Sequence, residues 1–440
     1  MKKSYFIQTY GCQMNVADSE LIEKILIDHG YHKSNEPQNA DAIFINTCAI
    51  REHAEQKVHS TLGRLAKIKK EKPSVLLGVV GCMAQSLKHD LLEKRPYVDI
   101  ILGPDSYRRL PQLLERTTDN KNSIVDTKLS RFEVYDDLFP SRKEGINAWI
   151  SIMRGCDKFC TFCIVPFTRG RERSRSIASI LNEAEVAVKQ GFKEITLLGQ
   201  NVNSYNYEGM RFNQLIENVA KIPGIDRIRF TSPHPNDFPL ELLHTMAEHK
   251  NICNYVHLPM QSGSDRILSR MNRDYSRQEF VEIAKRIRNI IPNVGISTDI
   301  IVGFPGETDD DFQETMETMR EIKFDSAYNF KYSPRRGTKA SEYDDQVNDY
   351  VKNERLDQII SLQKKHTLER NLSLIGSTQK VLIEKESKLS KDQWAGRTDS
   401  NKWISFDKGD LNIKDMVEVK VIDAKGVTLA GRTLNVPSVA

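Results

Sequence analysis

The chain has 440 residues, a formal net charge of +4 and 39% hydrophobic residues, the composition of an ordinary globular protein of two or three domains. No apolar run reaches the length of a membrane span, so no membrane association is expected. Seven cysteines are too few and too uneven for a secreted disulfide scaffold. The opening Met1-Lys2-Lys3-Ser4-Tyr5 leads into a strand pattern rather than a secretory leader, so a cytoplasmic protein is expected.

The first third repeats one unit three times. Tyr5 to Tyr10 runs into Gly11-Cys12, Ala42 to Thr47 into Cys48, and Val75 to Val80 into Gly81-Cys82. Each largely apolar run predicts a buried parallel strand. Leu21, Ile22, Ile25 and Leu26 share a helical face after the first run, and Val58, Leu62, Leu65 and Ile68 share one after the second. Strands alternating with helices predict a doubly wound parallel sheet over 1–120. The three cysteines fall at the same phase of three successive units, just past a strand end. Ligands gather along that edge of an open parallel sheet, so Cys12, Cys48 and Cys82 are expected to converge. The alternative is three independent buried thiols.

From Thr117 to Asn147 the pattern dissolves into polar residues, and 121–145 is expected to be a linker. Six strand-like runs follow, with helical patterns between most of them: Ala148 to Met153, Glu194 to Gly199, Arg227 to Ser232, Tyr255 to Met260, Gly295 to Gly303 and Ser326 to Ser333. They predict a six-stranded partial (β/α) barrel over 146–373, with its chemistry on the loops past the strand ends.

The first of those loops carries Cys156, Cys160 and Cys163, in a C-x3-C-x2-C pattern. Three thiolates that close can hold one four-iron cluster and leave one iron free to bind a small molecule. The alternative is structural zinc, which normally needs a fourth ligand that does not follow Cys163 closely. Gly199-Gln200-Asn201 and the run from Asp299 through Gly303 to Glu307 are suited to a nucleoside-like cofactor; Gly303, Pro305 and Gly306 equally fit a simple turn. His234, His257 and Cys253 are expected to be scaffold residues. Between Arg154 and Arg175 stand six basic residues and two acidic ones, a local excess of +4. A polyanion is one reading of that excess and a solvated loop the other.

A charged helical pattern runs from Val347 to about Leu372. Short β-like runs after Gly376 (Gln379 to Glu384, Lys402 to Phe406, Met416 to Asp423, Gly426 to Ala430) predict a small antiparallel β-barrel over 374–440. Trp394 and Trp403 are candidates for stacking on bases, with core packing as the alternative.

Across nearly the whole chain these motifs resemble the methylthiotransferases, a family of radical S-adenosylmethionine enzymes. The resemblance rests on Gly11 to Glu20, Asn46 to Glu52, Gly81 to Gln85, the Cys156 loop and Val165 to Arg175. It is nearest the tRNA branch that acts on N6-isopentenyl (dimethylallyl) adenosine. Sister branches act on threonylcarbamoyl-adenosine in tRNA or on a ribosomal-protein aspartate, and a zinc-containing RNA-binding protein is the non-enzyme alternative. The resemblance implies two [4Fe-4S] clusters, one on Cys156, Cys160 and Cys163 that binds and cleaves S-adenosylmethionine, the other on Cys12, Cys48 and Cys82 that carries sulfur. It implies that a second S-adenosylmethionine supplies the methyl group, and that the methylthio group enters at C2 of the adenine. Phe162, Gly199, Gln200, Asn201, Asp299, Gly303 and Glu307 are then expected at the cofactor, and Arg169, Arg171, Arg173, Arg175, Trp394 and Trp403 at RNA. The C-terminal segment resembles the TRAM domain, an RNA-binding β-barrel. The implied partners are the anticodon loop of tRNA, an electron donor such as flavodoxin or ferredoxin, and a sulfur source. A monomer is expected.

Overall fold

The computed structural model describes residues 3–48, 52–120, 122–142, 144–388 and 390–434. Ala49, Ile50 and Arg51 of the second cysteine motif lie outside the described residues, as does the end of the chain from 435.

Ser4–Tyr10, Ala42–Thr47 and Leu76–Gly81 pair in parallel, as their apolar runs predict. His32–Lys33 adds to one edge and Ile100–Leu102 to the other, and Ile124–Asp126 completes a six-stranded sheet. Both faces are covered. Leu21, Ile22, Ile25 and Leu26 pack with Tyr5, Phe44 and Val80 on one face. Val58, Leu62 and Leu65 pack with Ile43, Ile45 and Val79 on the other. The stretch 121–145 is therefore more than a linker. Besides the strand Ile124–Asp126, it carries Tyr135, which is 2% exposed and stacks on Tyr107 at 5.8 Å between ring centres. Its polar composition hid one edge strand and one buried aromatic.

The six expected strands of the middle region form two parallel triplets. Arg227–Phe230, Glu194–Leu198 and Asn147–Ser151 make one; Tyr255–His257, Gly295–Val302 and Ser326–Lys331 make the other. A single bridge, Ile228 to Ile252, links the first triplet to the chain entering the second. One continuous core fills the inside of this partial barrel. The helix Asp349–Leu372 lies along it and buries Ile359.

The tail is a closed five-stranded barrel of Thr378–Glu386, Gln393–Thr398, Trp403–Asp407, Thr428–Thr433 and Met416–Lys425. It is not wholly antiparallel: Trp403–Asp407 pairs in parallel with Thr428–Thr433 to close the ring. The strand Gln393–Thr398, absent from the sequence expectation, is masked by its polar ends and by Gly396. A side chain at Gly396 would meet the Leu382 carbonyl at 2.2 Å. The barrel docks on the middle domain through buried charge. Arg227 donates to the carbonyls of Arg397 (2.6 Å) and Lys380 (2.8 Å), and Arg229 to that of Thr398 (2.9 Å). Glu194 pairs with Arg229 and Arg397, and Asp325 with Lys402.

Candidate metal centres

At the N-terminal sheet edge Cys48 and Cys82 follow a strand directly, and Cys12 follows one after Gly11. Cys12 begins the helix Gln13–Asp28, Cys48 follows Ala42–Thr47, and Cys82 begins the short helix Cys82–Leu87. Two glycines let the strand ends come together. A side chain at Gly11 (φ +134°) would lie 2.7 Å from the Cys48 Cβ, and one at Gly81 (φ +93°) 2.4 Å from the Asn46 side chain. Asn46 is fully buried and ties the edge by donating to the Asn15 carbonyl and the Ser19 hydroxyl, both at 2.8 Å. The convergence expected from spacing is visible in the chemistry. A hydrogen bond with Cys48, helped by the Arg169 charge, lowers the Cys12 thiol to about 6 against the effect of burial. Burial raises the Cys82 thiol.

The second triad sits on the loop closed by the ladder of Met153–Arg154 with Arg173–Ser174. Gly155 permits the entry turn: at φ +80° an added Cβ would lie 2.0 Å from the Arg171 carbonyl. Cys156 donates its amide to the Gly170 carbonyl (3.1 Å), Cys163 to that of Cys160 (2.9 Å), and Thr161 to that of Met271 (2.9 Å). Burial pushes Cys156 up to about 11 and Cys163 up to about 12. Thiols so placed ionise in company with a cation. Arg273, which the sequence reading missed, donates Nη1 to the Cys160 sulfur at 3.5 Å. Phe162 packs beside Ile267, Met271, Phe304 and Tyr332.

Among the described residues, no three His, Cys, Asp or Glu side chains are grouped around a single metal-ion position. Each triad offers three thiolates, the donor set of a four-iron cluster with one iron left without a protein ligand. Both triads fit a cluster by donor chemistry, and each has a guanidinium beside it, the buried Arg169 at the first and the half-buried Arg273 at the second.

The other expected cofactor residues differ in availability. Gly199 is close-packed; a Cβ there would lie 2.7 Å from the Met153 side chain. Gln200 keeps a buried Oε1 without a hydrogen-bond partner. Asn201 is engaged with Asp237 (3.1 Å) and with the His234 amide (3.1 Å). Asp299 is half-buried and meets His257 Nε2 at 3.3 Å. Gly303 (φ +65°) donates its amide to Glu307 Oε1 at 2.8 Å, and Arg355 donates to the same oxygen at 2.7 Å. Glu307 is 6% exposed, and its carboxylate holds the Gly303 turn. Cys253 is buried, and His257 donates to or accepts from Ser297 at 2.8 Å, as scaffold residues do.

The basic run is where the sequence reading fails most clearly. Arg169, Arg173 and Arg175 are 4%, 8% and 3% exposed, and they pair with Asp18, Asp105 and Glu183. They cannot lie on an RNA backbone. Arg171 alone is exposed, paired with Asp157. Asp18, also missed, is the hub: it takes Arg154 at 2.6 Å and Arg169 at 2.7 Å. Alternating arginines read as one polar face on a strand; here the loop turns them inward, where partners lie up to 151 residues away. In the barrel, Trp394 donates to the Leu411 carbonyl (2.9 Å) beneath Lys408, and Trp403 lies under Lys385 at 4.0 Å.

A cavity of about 380 Å³ opens between the segments that follow Cys82 and Cys163. It is lined by Gln85 to Asp90, just after Cys82, by Ile164, Phe167 and Thr168, just after Cys163, and by Arg336 and Gly337. Phe167 is 52% exposed there.

Three family models match the chain: an uncharacterized protein family, UPF0004, over residues 4–103, the radical SAM superfamily over 150–319, and the TRAM domain over 372–434. The chain is 46% identical over 436 residues to a tRNA-2-methylthio-N(6)-dimethylallyladenosine synthase of Chloroherpeton thalassium, covering 98% of this chain and 96% of that one. It is 47% identical over 438 residues to the synthase of the same name from Bacteroides thetaiotaomicron, with 98% and 96% covered. Among solved structures, the radical S-adenosylmethionine methyltransferase TsrM of Kitasatospora setae, with cobalamin and a [4Fe-4S] cluster bound, shares the fold at a TM-score of 0.61 and 13% identity over 78% of this chain and 77% of that one.

Proposed function

The chain belongs to the tRNA-2-methylthio-N(6)-dimethylallyladenosine synthase family, and from that premise we propose that its two cysteine triads hold two [4Fe-4S] clusters facing one pocket. Its reaction is the radical insertion of a methylthio group at C2 of N6-dimethylallyladenosine next to the tRNA anticodon. When bound, the clusters and S-adenosylmethionine supply the electron, the radical, the sulfur and the methyl group that an unactivated aromatic C–H demands. The carrying observation is the cavity, because the residues after Cys82 and after Cys163 form its two walls.

Each triad has its own task. Cys156, Cys160 and Cys163 hold the cluster that takes S-adenosylmethionine; Cys12, Cys48 and Cys82 hold the one that carries sulfur. Arg273 keeps a positive charge beside the Cys156, Cys160 and Cys163 triad through Cys160. The unpartnered Oε1 of Gln200 is the acceptor left for the cofactor on the Gly199-Gln200-Asn201 loop, with Asp299 and Gly303 on the neighbouring strand. The target adenine leaves its stack and enters the cavity beside Phe167, which suits a single-stranded loop. On the barrel, exposed Lys385, Lys388 and Lys391 near Trp394 and Trp403 are the cations that reach tRNA phosphates. No helix among the described residues is long and apolar enough to cross a membrane. The enzyme acts in the cytoplasm as a monomer, with a flavodoxin- or ferredoxin-type electron donor and a separate sulfur source.

Mass spectrometry of tRNA nucleosides from a strain lacking the gene, with and without its restoration, tests the reading. Loss of the methylthio group from dimethylallylated adenosine alone is expected. Loss from threonylcarbamoyl-adenosine, or an unmodified ribosomal-protein aspartate, would move the chain to a sister reaction.

A further inference from the structure

Arg169 occupies a position that no RNA contact explains. It ends the short helix Val165–Arg169 that follows Cys163, yet its side chain reaches the other triad, where its charge bears on Cys82 and Cys12. Its Nη2 donates to Asp18 Oδ2 at 2.7 Å. Its Nη1 is buried and meets no hydrogen-bond partner. Asp18 cannot balance it, because Arg154 takes the other carboxylate oxygen at 2.6 Å. The nearby Asp105 is paired with Arg173. Three buried guanidiniums therefore face two carboxylates, and one positive charge is left over beside the thiols. A buried unpaired cation is costly unless an anion joins it.

The geometry points to Arg169 as the counter-ion of the N-terminal centre: its free Nη1 is directed to the anionic sulfur assembled on Cys12, Cys48 and Cys82, and its charge favours the reduced, more negative state of that centre. This rests on the reading that these cysteines hold a cluster. Arg169 is thus a positioning residue for the sulfur-carrying centre, attached directly to the chain segment of the radical-forming one. Charge and hydrogen bonds near cluster sulfurs set their reduction potential.

The test uses the full-length chain carrying Cys156→Ala, Cys160→Ala and Cys163→Ala, so that only the N-terminal centre is read. Iron and sulfide are counted, and the midpoint potential is measured by anaerobic redox titration with Arg169 present or replaced by Gln, Met or Lys. With Arg169 present, about four irons per chain are expected. Arg169→Gln and Arg169→Met keep the cluster but disfavour its reduction by about tenfold, 59 mV more negative for one electron. Arg169→Lys, which keeps the charge, shifts the equilibrium by less than half as much on the logarithmic scale. An unchanged potential in the neutral variants would overturn the assignment, and so would a Lys variant as shifted as the Gln one. Failure of both neutral variants to fold would overturn it as well, because an excess cation should be dispensable. No iron with Arg169 present would instead refute the N-terminal cluster itself, and this assignment with it.

Discussion

Asp18→Asn is the most informative single change. Asp18 lies on the helix that starts at Cys12, Arg154 lies just before Cys156, and Arg169 lies just after Cys163. One carboxylate, 1% exposed, therefore ties the two cysteine-bearing loops together through contacts of 2.6 and 2.7 Å. Tyr107 donates to it as well, at 3.3 Å. Removing one partner of a buried ion pair costs about 3–5 kcal/mol, because the remaining charge stays buried and unpaired. Two features reduce the cost here. An amide oxygen still accepts one hydrogen bond, and Arg154 lies over the Tyr135 ring at 4.6 Å. A loss of about 3 kcal/mol is expected. With an m-value of about 2 kcal/mol/M, the urea midpoint falls by about 1.5 M. The readout is the fluorescence of Trp149, packed against Met14 and Ala17 of the same helix, in a chain whose other two tryptophans are phenylalanine. Burial alone would raise the Asp18 carboxyl, but Arg154 and Arg169 outweigh it and hold it below the usual range. Stability from a lowered carboxyl is fully present above its unfolded pKa of about 3.9 and is lost only in acid. The difference between the two proteins should thus be constant from pH 6 to 8. A loss below about 1 kcal/mol, or one that changes across that range, would refute the hub.

Other consequences are as direct. Cys156→Ala should abolish formation of 5′-deoxyadenosine, while Cys12→Ala should retain some of it and yield no methylthio-adenosine; modified tRNA from Cys12→Ala would remove the N-terminal centre from the mechanism. Selective loss of tRNA binding is what a chain ending before Gly376 would show if the barrel were an independent RNA-binding unit. The docking of Arg227, Arg229, Glu194 and Asp325 against the barrel predicts instead that truncation destabilises the middle domain. Lys385→Ala with Lys391→Ala isolates RNA binding: the salt dependence of tRNA affinity should fall by about 1 per lysine while S-adenosylmethionine cleavage is kept. Burial, with Arg273 and Lys158 nearby, pushes the His234 imidazole down to about 2. A lowered histidine gives stability that is present above its unfolded pKa of about 6.5 and lost as pH falls below it. Wild type should therefore lose about 1.4 kcal/mol more than His234→Gln between pH 7.5 and 5.5, measured by anaerobic urea unfolding.

What was legible in the sequence was whatever repeats locally. Apolar runs followed by cysteine at a constant phase gave the strands of the first sheet and the convergence of Cys12, Cys48 and Cys82, because a parallel sheet repeats its geometry with its sequence. Six strand-like runs gave the middle barrel for the same reason. Pairings between distant residues were not legible. Nothing near Asp18 announces Arg154 or Arg169, and nothing in Arg169-Gly170-Arg171-Glu172-Arg173 separates two inward arginines from an outward one. Burial decides that, and it depends on Asp18 and Asp105 lying across the domain boundary. The polar stretch 121–145 misled in the same way, since Ile124–Asp126 and Tyr135 have meaning only against strands and rings far earlier in the chain. The local excess of +4 was real, but the fold applies most of it internally. Its arginines bind the carboxylates that hold the two cysteine loops at one distance, and the one guanidinium in surplus sits where an electron-rich centre would need it.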